Sequence, residues 1–226
     1  MNLLAFDTSS YNLSFALLSK DRIVVNFNRR IKFGASSLIP IIEKHIKNSP
    51  MSMDLKKIDA FVVGEGPGSF TGLRIAFSVA KAFSLSLGKP VIKIGSFFSI
   101  AYPFKDKYDK IAVISDARRN LIYATSFRCR KGQIKKEAKE RLVSLAEYIK
   151  AHRDYFFITY DKHIREAAFS LNPKLNFFSR DVYPQANYLL ELAKISYEKK
   201  EFIPLDKLKP LYLHPKTCQI RRKVAV

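Results

Sequence analysis

The sequence predicts an α/β chain in two parts that repeat one architecture. An apolar, β-branched run at 58–63 feeds the glycine-dense stretch Gly64-Glu65-Gly66-Pro67-Gly68-Ser69, and an apolar-periodic segment follows. That order reads as buried strand, tight loop and helix. A strand, an Asp-containing turn and a second strand occur twice, around Asp7 and around Asp116. This is a duplication of architecture and not of sequence. Over 103–110 the composition turns polar and charged, which places a boundary between 1–102 and 103–226. The second part ends in a basic tail that is expected to be irregular and to be able to pack back on the first part.

Each element follows from its local pattern. Residues 3–6, 13–18 and 23–27 are apolar strand runs, joined through Asp7-Thr8-Ser9-Ser10 and Lys20-Asp21 into an antiparallel meander. Residues 36–47 form a helix in which Leu38, Ile39, Ile42 and Ile46 share a stripe and Glu43 pairs with Lys47 outside. The helix after the glycine loop runs from about residue 70 to 87. Ser69 is its N-cap, Gly88 suits C′ and Pro90 stops it. Within it Gly72, Ala76 and Ala80 form a small-residue stripe that admits a close neighbour. A strand at 91–94 and a short helix at 96–102 close the first part. In the second part, strands at 111–114 and 121–127 precede a helix at 144–152, a strand at 155–159 and a short helix at 164–170. An edge strand at 175–178 and a helix at 184–200 follow, with Leu189, Leu192, Ala193, Ile195 and Ser196 turned inward.

Composition limits the function classes. A hydrophobic content of 47% excludes wholesale disorder. No apolar run reaches the roughly 18 residues of a membrane span and no leader pattern opens the chain, so the expectation is a soluble cytoplasmic protein with no membrane partner. Cys129 and Cys218 lie far apart without ligand spacing, and the four histidines form no cluster, so neither a disulfide framework nor a metal site is expected. Forty Lys and Arg against 20 Asp and Glu give +20, enough to attract RNA phosphates. The cations are scattered, with short groups only at 128–139 and at Arg221-Arg222-Lys223, so a solvated basic surface accounts for them equally.

Two loops carry the candidate chemistry. Gly66 and Gly68 before a helix start leave backbone N–H groups free for an anion, and Asp7, Thr8 and Ser9, like Asp116 in the second copy, could hold a phosphate or a metal–phosphate group. The same residues also serve as ordinary turn formers. The loop is neither a Walker A nor a dinucleotide fingerprint, since the required Lys and glycine spacing are missing.

Asp7-Thr8-Ser9 after the first strand, Gly64 to Arg74 as Gly-x-Gly-Pro-Gly-Ser-Phe-Thr-Gly-Leu-Arg, Asp116-Ala117-Arg118 before a strand with Tyr123, and Pro210-x-Tyr212-Leu213 occur in this order over essentially the whole chain. This set resembles the bacterial TsaB (YeaZ) family of the tRNA threonylcarbamoyladenosine machinery. The resemblance implies an actin-like/Hsp70-like ATPase fold of two lobes, each with a mixed sheet and flanking helices, the second lobe reduced. It implies a non-catalytic partner of the TsaD-type catalytic subunit, acting with a TsaE-type ATPase in modification of adenosine 37, and a homodimer when alone. TsaD carries a metal-binding His-x-x-x-His motif; the matching positions here fall at about Ser96 and Ile100, neither able to ligate. Metal and ATP are thus expected on the partner subunits, with no cofactor beyond weak nucleotide binding on this chain. The family's partner surface maps onto helices 36–47 and 70–87, with Leu38, Ile42, Phe70, Arg74 and Phe77 as candidate contacts. Asp7, Thr8, Ser9, Gly66, Gly68 and Asp116 become vestigial phosphate loops.

Two other readings stay open on the residues alone. One is a small-molecule kinase or ATPase using Asp7 and Asp116 around a Mg-nucleotide. The other is a direct tRNA-binding module working through the basic surface.

Overall fold

The computed structural model describes residues 1–30, 34–48 and 54–214. The basic group Arg221-Arg222-Lys223 and Cys218 lie outside the described residues. Strands β1 (Asn2–Asp7), β2 (Asn12–Ser19) and β3 (Arg22–Arg30) form the expected meander. Helix α1 (Leu38–Lys47) leads to β4 (Ala60–Gly64), which lies parallel to β1. Helix α2 (Phe70–Leu87) then returns the chain to β5 (Val91–Ile94), parallel to β4, so the sheet order is β3-β2-β1-β4-β5. The short α3 (Ser96–Ala101) follows.

The second part repeats this path. β6 (Lys110–Asp116) and β7 (Leu121–Arg130) pair antiparallel, β8 (Gln133–Lys136) and β9 (Arg141–Ser144) both pair with β7, and α4 (Leu145–Ala151) leads to β10 (Phe156–Ile158) parallel to β6. Helix α5 (Lys162–Leu171) precedes the edge strand β11 (Asn176–Phe177), and α6 (Ala186–Glu198) ends the regular structure. The order β11-β10-β6-β7-β8 is that of the first sheet read from the other edge. The two lobes therefore share one topology, and the actin-like class expected from the sequence holds.

Period-two alternation sorts the strands' side chains into three cores. Leu4, Phe6, Phe15, Leu17, Phe61 and Val63 face α1 and α2. Leu3, Ala5, Ala16, Leu18, Val62, Ile111, Val113 and Phe127 face a central layer with α3 and α6 between the sheets. Ala112, Ile114, Ile122 and Phe157 face α4 and α5. Cys129 lies in the central core, where burial pushes its thiol up to about 11 and leaves it unreactive.

Three expectations need correction. Ile39 is 46% exposed while Leu38, Ile42 and Ile46 are buried, because an i, i+4 stripe fixes the face and Ile39 sits about 100° round the helix from Leu38. β8 and β9 form between 128 and 144, where the sequence reading placed no element, as four-residue strands with little apolar patterning. Ile195, expected inward on α6, is 47% exposed while Leu189 and Ala193 are buried, and α6 itself lies on the first sheet. The N–H of Ala186 donates to Ser14 Oγ (2.8 Å) and that of Gln185 to Ser99 Oγ (3.1 Å). Downstream, Ile203 N–H donates to Val91 O (2.9 Å) and Leu208 is buried beside α1 and α2.

Candidate functional site

The glycine loop and the Asp7 turn are one structure. Ser69 N–H donates to Ser9 O (2.7 Å), and Thr8 Oγ1 donates to Gly72 O (2.7 Å), so the β1–β2 turn rests on the start of α2. Contact this close requires glycine. A Cβ at Gly68 would lie 2.1 Å from Ser9 O, and one at Gly72 would lie 1.9 Å from Thr8 O. Ser69 Oγ accepts the N–H of Gly72 (3.2 Å), the cap expected from the sequence.

Asp7 ends β1 and is 1% exposed. Its Oδ1 accepts from Ser9 N–H (2.8 Å) and Ser9 Oγ (2.6 Å), whereas Oδ2 is buried without a hydrogen-bond partner. Burial pushes its carboxyl above the ordinary range, opposed by the hydroxyls of Ser9 and Ser96. A Cβ on Gly64 would stand 1.9 Å from Asp7 Oδ2, so this carboxylate is walled in by backbone. Asp116 ends β6 in the equivalent position. Its Oδ1 accepts Arg118 N–H (2.7 Å), and its Oδ2 lies 3.4 Å from His163 Nε2. Its own N–H donates to Asp161 Oδ2 (2.8 Å).

Asp161 was not singled out in the sequence. Its position just before α5 suggests an N-cap, yet its side chain caps nothing there and instead fastens the end of β10 to the end of β6. Burial pushes its carboxyl up as well. Burial, with smaller contributions from the Asp161 and Asp7 carboxylates, pushes the hydroxyl of buried Tyr160 up.

The position matching the family's metal ligands does not fit a metal. Ser96 and Ile100 are fully buried in α3; Ser96 Oγ accepts Gly66 N–H (3.0 Å), and Ile100 is part of the central core. Among the described residues no group of three His, Cys, Asp or Glu side chains could hold an ion.

The expected partner contacts divide. Leu38, Ile42 and Phe77 are at most 3% exposed and pack beneath α1 and α2, so they hold the helices to the sheet and present nothing outward. Phe70 and Arg74 are exposed, with the Arg74 guanidinium 4.3 Å from the Phe70 ring centre and the Tyr212 ring 5.2 Å from it. Around them the outer face of α2 carries Thr71, Ser78, Ala82 and Leu85, all exposed, and Leu85 reaches 74%. By length and composition alone α2 passes for a membrane span. It carries Arg74 and Lys81, and its other side is packed on the first sheet. Leu85→Ala is expected to change unfolding free energy by less than about 0.5 kcal/mol in urea titration, since nothing buries this side chain.

The segment 208–214 is a strap across this region. Leu211 N–H donates to Glu65 O (2.9 Å), Tyr212 meets Phe70, and a ring nitrogen of His214 bonds Ala117 O (2.8 Å) beside Asp116. It touches the glycine loop, the start of α2 and the second Asp-turn together.

The family model of TsaD, tRNA N6-adenosine threonylcarbamoyltransferase, matches residues 34–190. The tRNA threonylcarbamoyladenosine biosynthesis protein TsaB of Bacillus subtilis is 32% identical over 151 residues, a match spanning 66% of this chain and 65% of that protein's length. TsaB of Haemophilus influenzae is 28% identical over 94% of this chain and 93% of its own. YeaZ from Pseudomonas aeruginosa superposes with a TM-score of 0.78 at 24% identity, over 94% of this chain and 99% of that one, and so shares the fold. By the family match over residues 34–190, the chain belongs to the TsaD family, and the relatives it resembles within that family carry the name TsaB.

Proposed function

We propose that this chain acts in tRNA threonylcarbamoyladenosine biosynthesis as a non-catalytic cytoplasmic partner of a TsaD-type catalytic subunit, together with a TsaE-type ATPase. The observation that carries the reading is the filled metal position: Ser96 and Ile100 are closed into the interior where the catalytic relative would place ligands. Among the described residues, Cys129 is buried and His163 has the Asp116 carboxylate beside it, and neither offers a nucleophile with its base. What the chain offers a partner is the outer face of α2, which carries no carboxylate and has Phe70, Arg74 and Leu85 at the surface. The kinase-like reading is disfavoured by Asp7, whose Oδ2 is buried against the backbone of Gly64 and is not presented to a Mg-nucleotide at the surface. A +20 surface supports an additional tRNA contact, which would weaken steeply with salt.

Reconstitution tests the reading. Threonylcarbamoylation of a tRNA by TsaD-type and TsaE-type proteins from the same cell is expected to fall at least tenfold when this chain is left out. Full modification without it sinks the proposal.

A further inference from the structure

We infer that the outer face of the β7–β8 hairpin is a contact surface for the phosphate backbone of a base-paired RNA stem. The inference deepens the tRNA contact of the proposed function by giving it a place and a form of RNA. Pairing sets Arg128 opposite Lys135 and Arg130 opposite Gln133, while Cys129 and Ile134 between them pack on the central core. By strand alternation Arg128, Arg130, Gln133 and Lys135 share the face away from that core, and Lys131 stands in the turn with Gly132, both at positive φ. Arg130, Lys131, Gln133 and Lys135 are exposed. A hollow of about 460 Å³ opens beside the turn, lined by Asp109, Arg130, Lys131 and Gln133.

The neighbouring carboxylates are mostly committed. Glu137 accepts from Arg128 (2.5 Å) and from the Tyr155 hydroxyl (2.6 Å), and Asp154 takes Lys110. Glu140 is paired with Lys136 (2.5 Å) and Asp106 with Lys105 (2.8 Å). Among the described residues Arg130, Lys131 and Lys135 stand in no ion pair, and Asp109 is the one carboxylate lining the hollow. Side chains two apart on a strand stand about 7 Å from each other, and cross-strand neighbours about 5 Å. Like charges held at that spacing repel, a cost that a polyanion laid along them removes. Lysine on an edge strand guards against stray pairing, which accounts for Lys135 and Lys136 on β8. It does not account for Arg130 on the inner strand or Lys131 in the turn.

The surroundings of these cations select the anion. Among the described residues no large apolar side chain of the hairpin is exposed, and Tyr155 nearby is 8% exposed with its hydroxyl on Glu137. An acidic protein would need an apolar centre, a membrane an apolar wedge, and an unpaired RNA strand an aromatic platform. A base-paired stem needs none of these, because its bases are stacked inside and its backbone is read by shape and charge.

Fluorescence anisotropy with the full chain tests this without any TsaD-type protein present. The probe is a labelled RNA hairpin with a stem of about 16 base pairs, the span of a duplex-reading domain. The comparisons are an unpaired RNA of the same length, an acidic peptide of Leu, Ala and Glu, and vesicles of phosphatidylserine and phosphatidylcholine. The triple variant Arg130→Glu/Lys131→Glu/Lys135→Glu is expected to weaken stem binding at least tenfold. It should also flatten the slope of log affinity against log salt by about 2–3, since each lost phosphate contact removes about 0.9. Its fold is checked by circular dichroism, and the measurement is repeated as Arg130→Gln/Lys131→Gln/Lys135→Gln. The control Lys56→Glu/Lys57→Glu, exposed on the first lobe, should lose less than threefold, and a stem of different sequence should bind within threefold. Equal loss in the control, or an unchanged salt slope, overturns the proposal. So does sensitivity to the triple variant shown by the unpaired RNA, the peptide or the vesicles and not by the stem. Stem binding untouched by the triple variant, with the reconstitution above intact, removes this surface and leaves the partner reading. The reverse pair of results removes the partner reading alone.

Discussion

Gly72→Ala is expected to destabilise the protein by about 3 kcal/mol or more. Helix propensity alone predicts the opposite sign, since alanine inside a helix is better than glycine by about 1 kcal/mol. The clash decides. A methyl at Gly72 would stand 1.9 Å from Thr8 O and 3.3 Å from Ser69 Cβ, and the first of these is backbone that no rotamer change can move. Relief requires the β1–β2 turn to lift from α2, which strains the bonds from Thr8 Oγ1 to Gly72 O and from Ser69 N–H to Ser9 O. At about 2–4 °C per kcal/mol for a domain of this size, the melting temperature should fall by roughly 6–12 °C. Gly88→Ala is the internal contrast. Its φ is 65° and a Cβ there meets nothing within 4 Å, so it costs only the left-handed strain, about 1 kcal/mol. If urea titration shows Gly72→Ala neutral or stabilising, the close approach is not as described.

The same substitution reaches function through geometry. The start of α2 positions Phe70 and Arg74, and the strap holds that end through Tyr212 and Leu211. Moving the first turn would misplace the exposed end of the proposed docking face while Leu85, at the other end, stays where it is.

Much of this was legible in the sequence, and the illegible parts share a cause. The bounds of α2 follow from Ser69 and Gly88, because capping is local chemistry, and both caps form as read. The repeated Asp-turns fall at the ends of β1 and β6, equivalent strands in the two sheets. By contrast, the amphipathic pattern of α6 shows that one side is buried but cannot say against which sheet. β8 and β9 are edge strands of sequence QIKK and RLVS, too short and polar to register. The strap is ordered by a backbone bond to Glu65 and by His214 on Ala117, and the motif Pro210-x-Tyr212-Leu213 marks the segment without showing where it docks. Leu38, Ile42 and Phe77 were candidate contacts for the same reason: an apolar stripe reads alike whether it faces the chain's own core or a partner. Only burial separates them from Phe70 and Arg74.

Asp7→Asn is expected to stabilise the protein at neutral pH by about 1–3 kcal/mol, the scale of a buried polar atom left without a partner. Burial raises the folded carboxyl above its ordinary 3.8. Below that value both folded and unfolded chains hold the proton, and the favourable contribution is complete. Above it the unfolded chain releases the proton while the folded chain retains it, so stability declines as pH rises through the folded value. Asparagine removes the titration. Its Oδ1 still accepts from Ser9 N–H and Oγ, and its amide N–H₂ replaces the partnerless Oδ2 beside Ser96, whose hydroxyl can accept a second bond besides that from Gly66. Urea titrations of both proteins from pH 4 to pH 8 should therefore start together and diverge upward in favour of the variant. Some slope should survive, because Asp161 is raised by burial in the same direction. A gap that does not change with pH would mean the carboxyl is ionised in the fold, the state that a magnesium anchor requires. A gap that opens with pH means Asp7 is held as a neutral acid, serving the turn that seats α2.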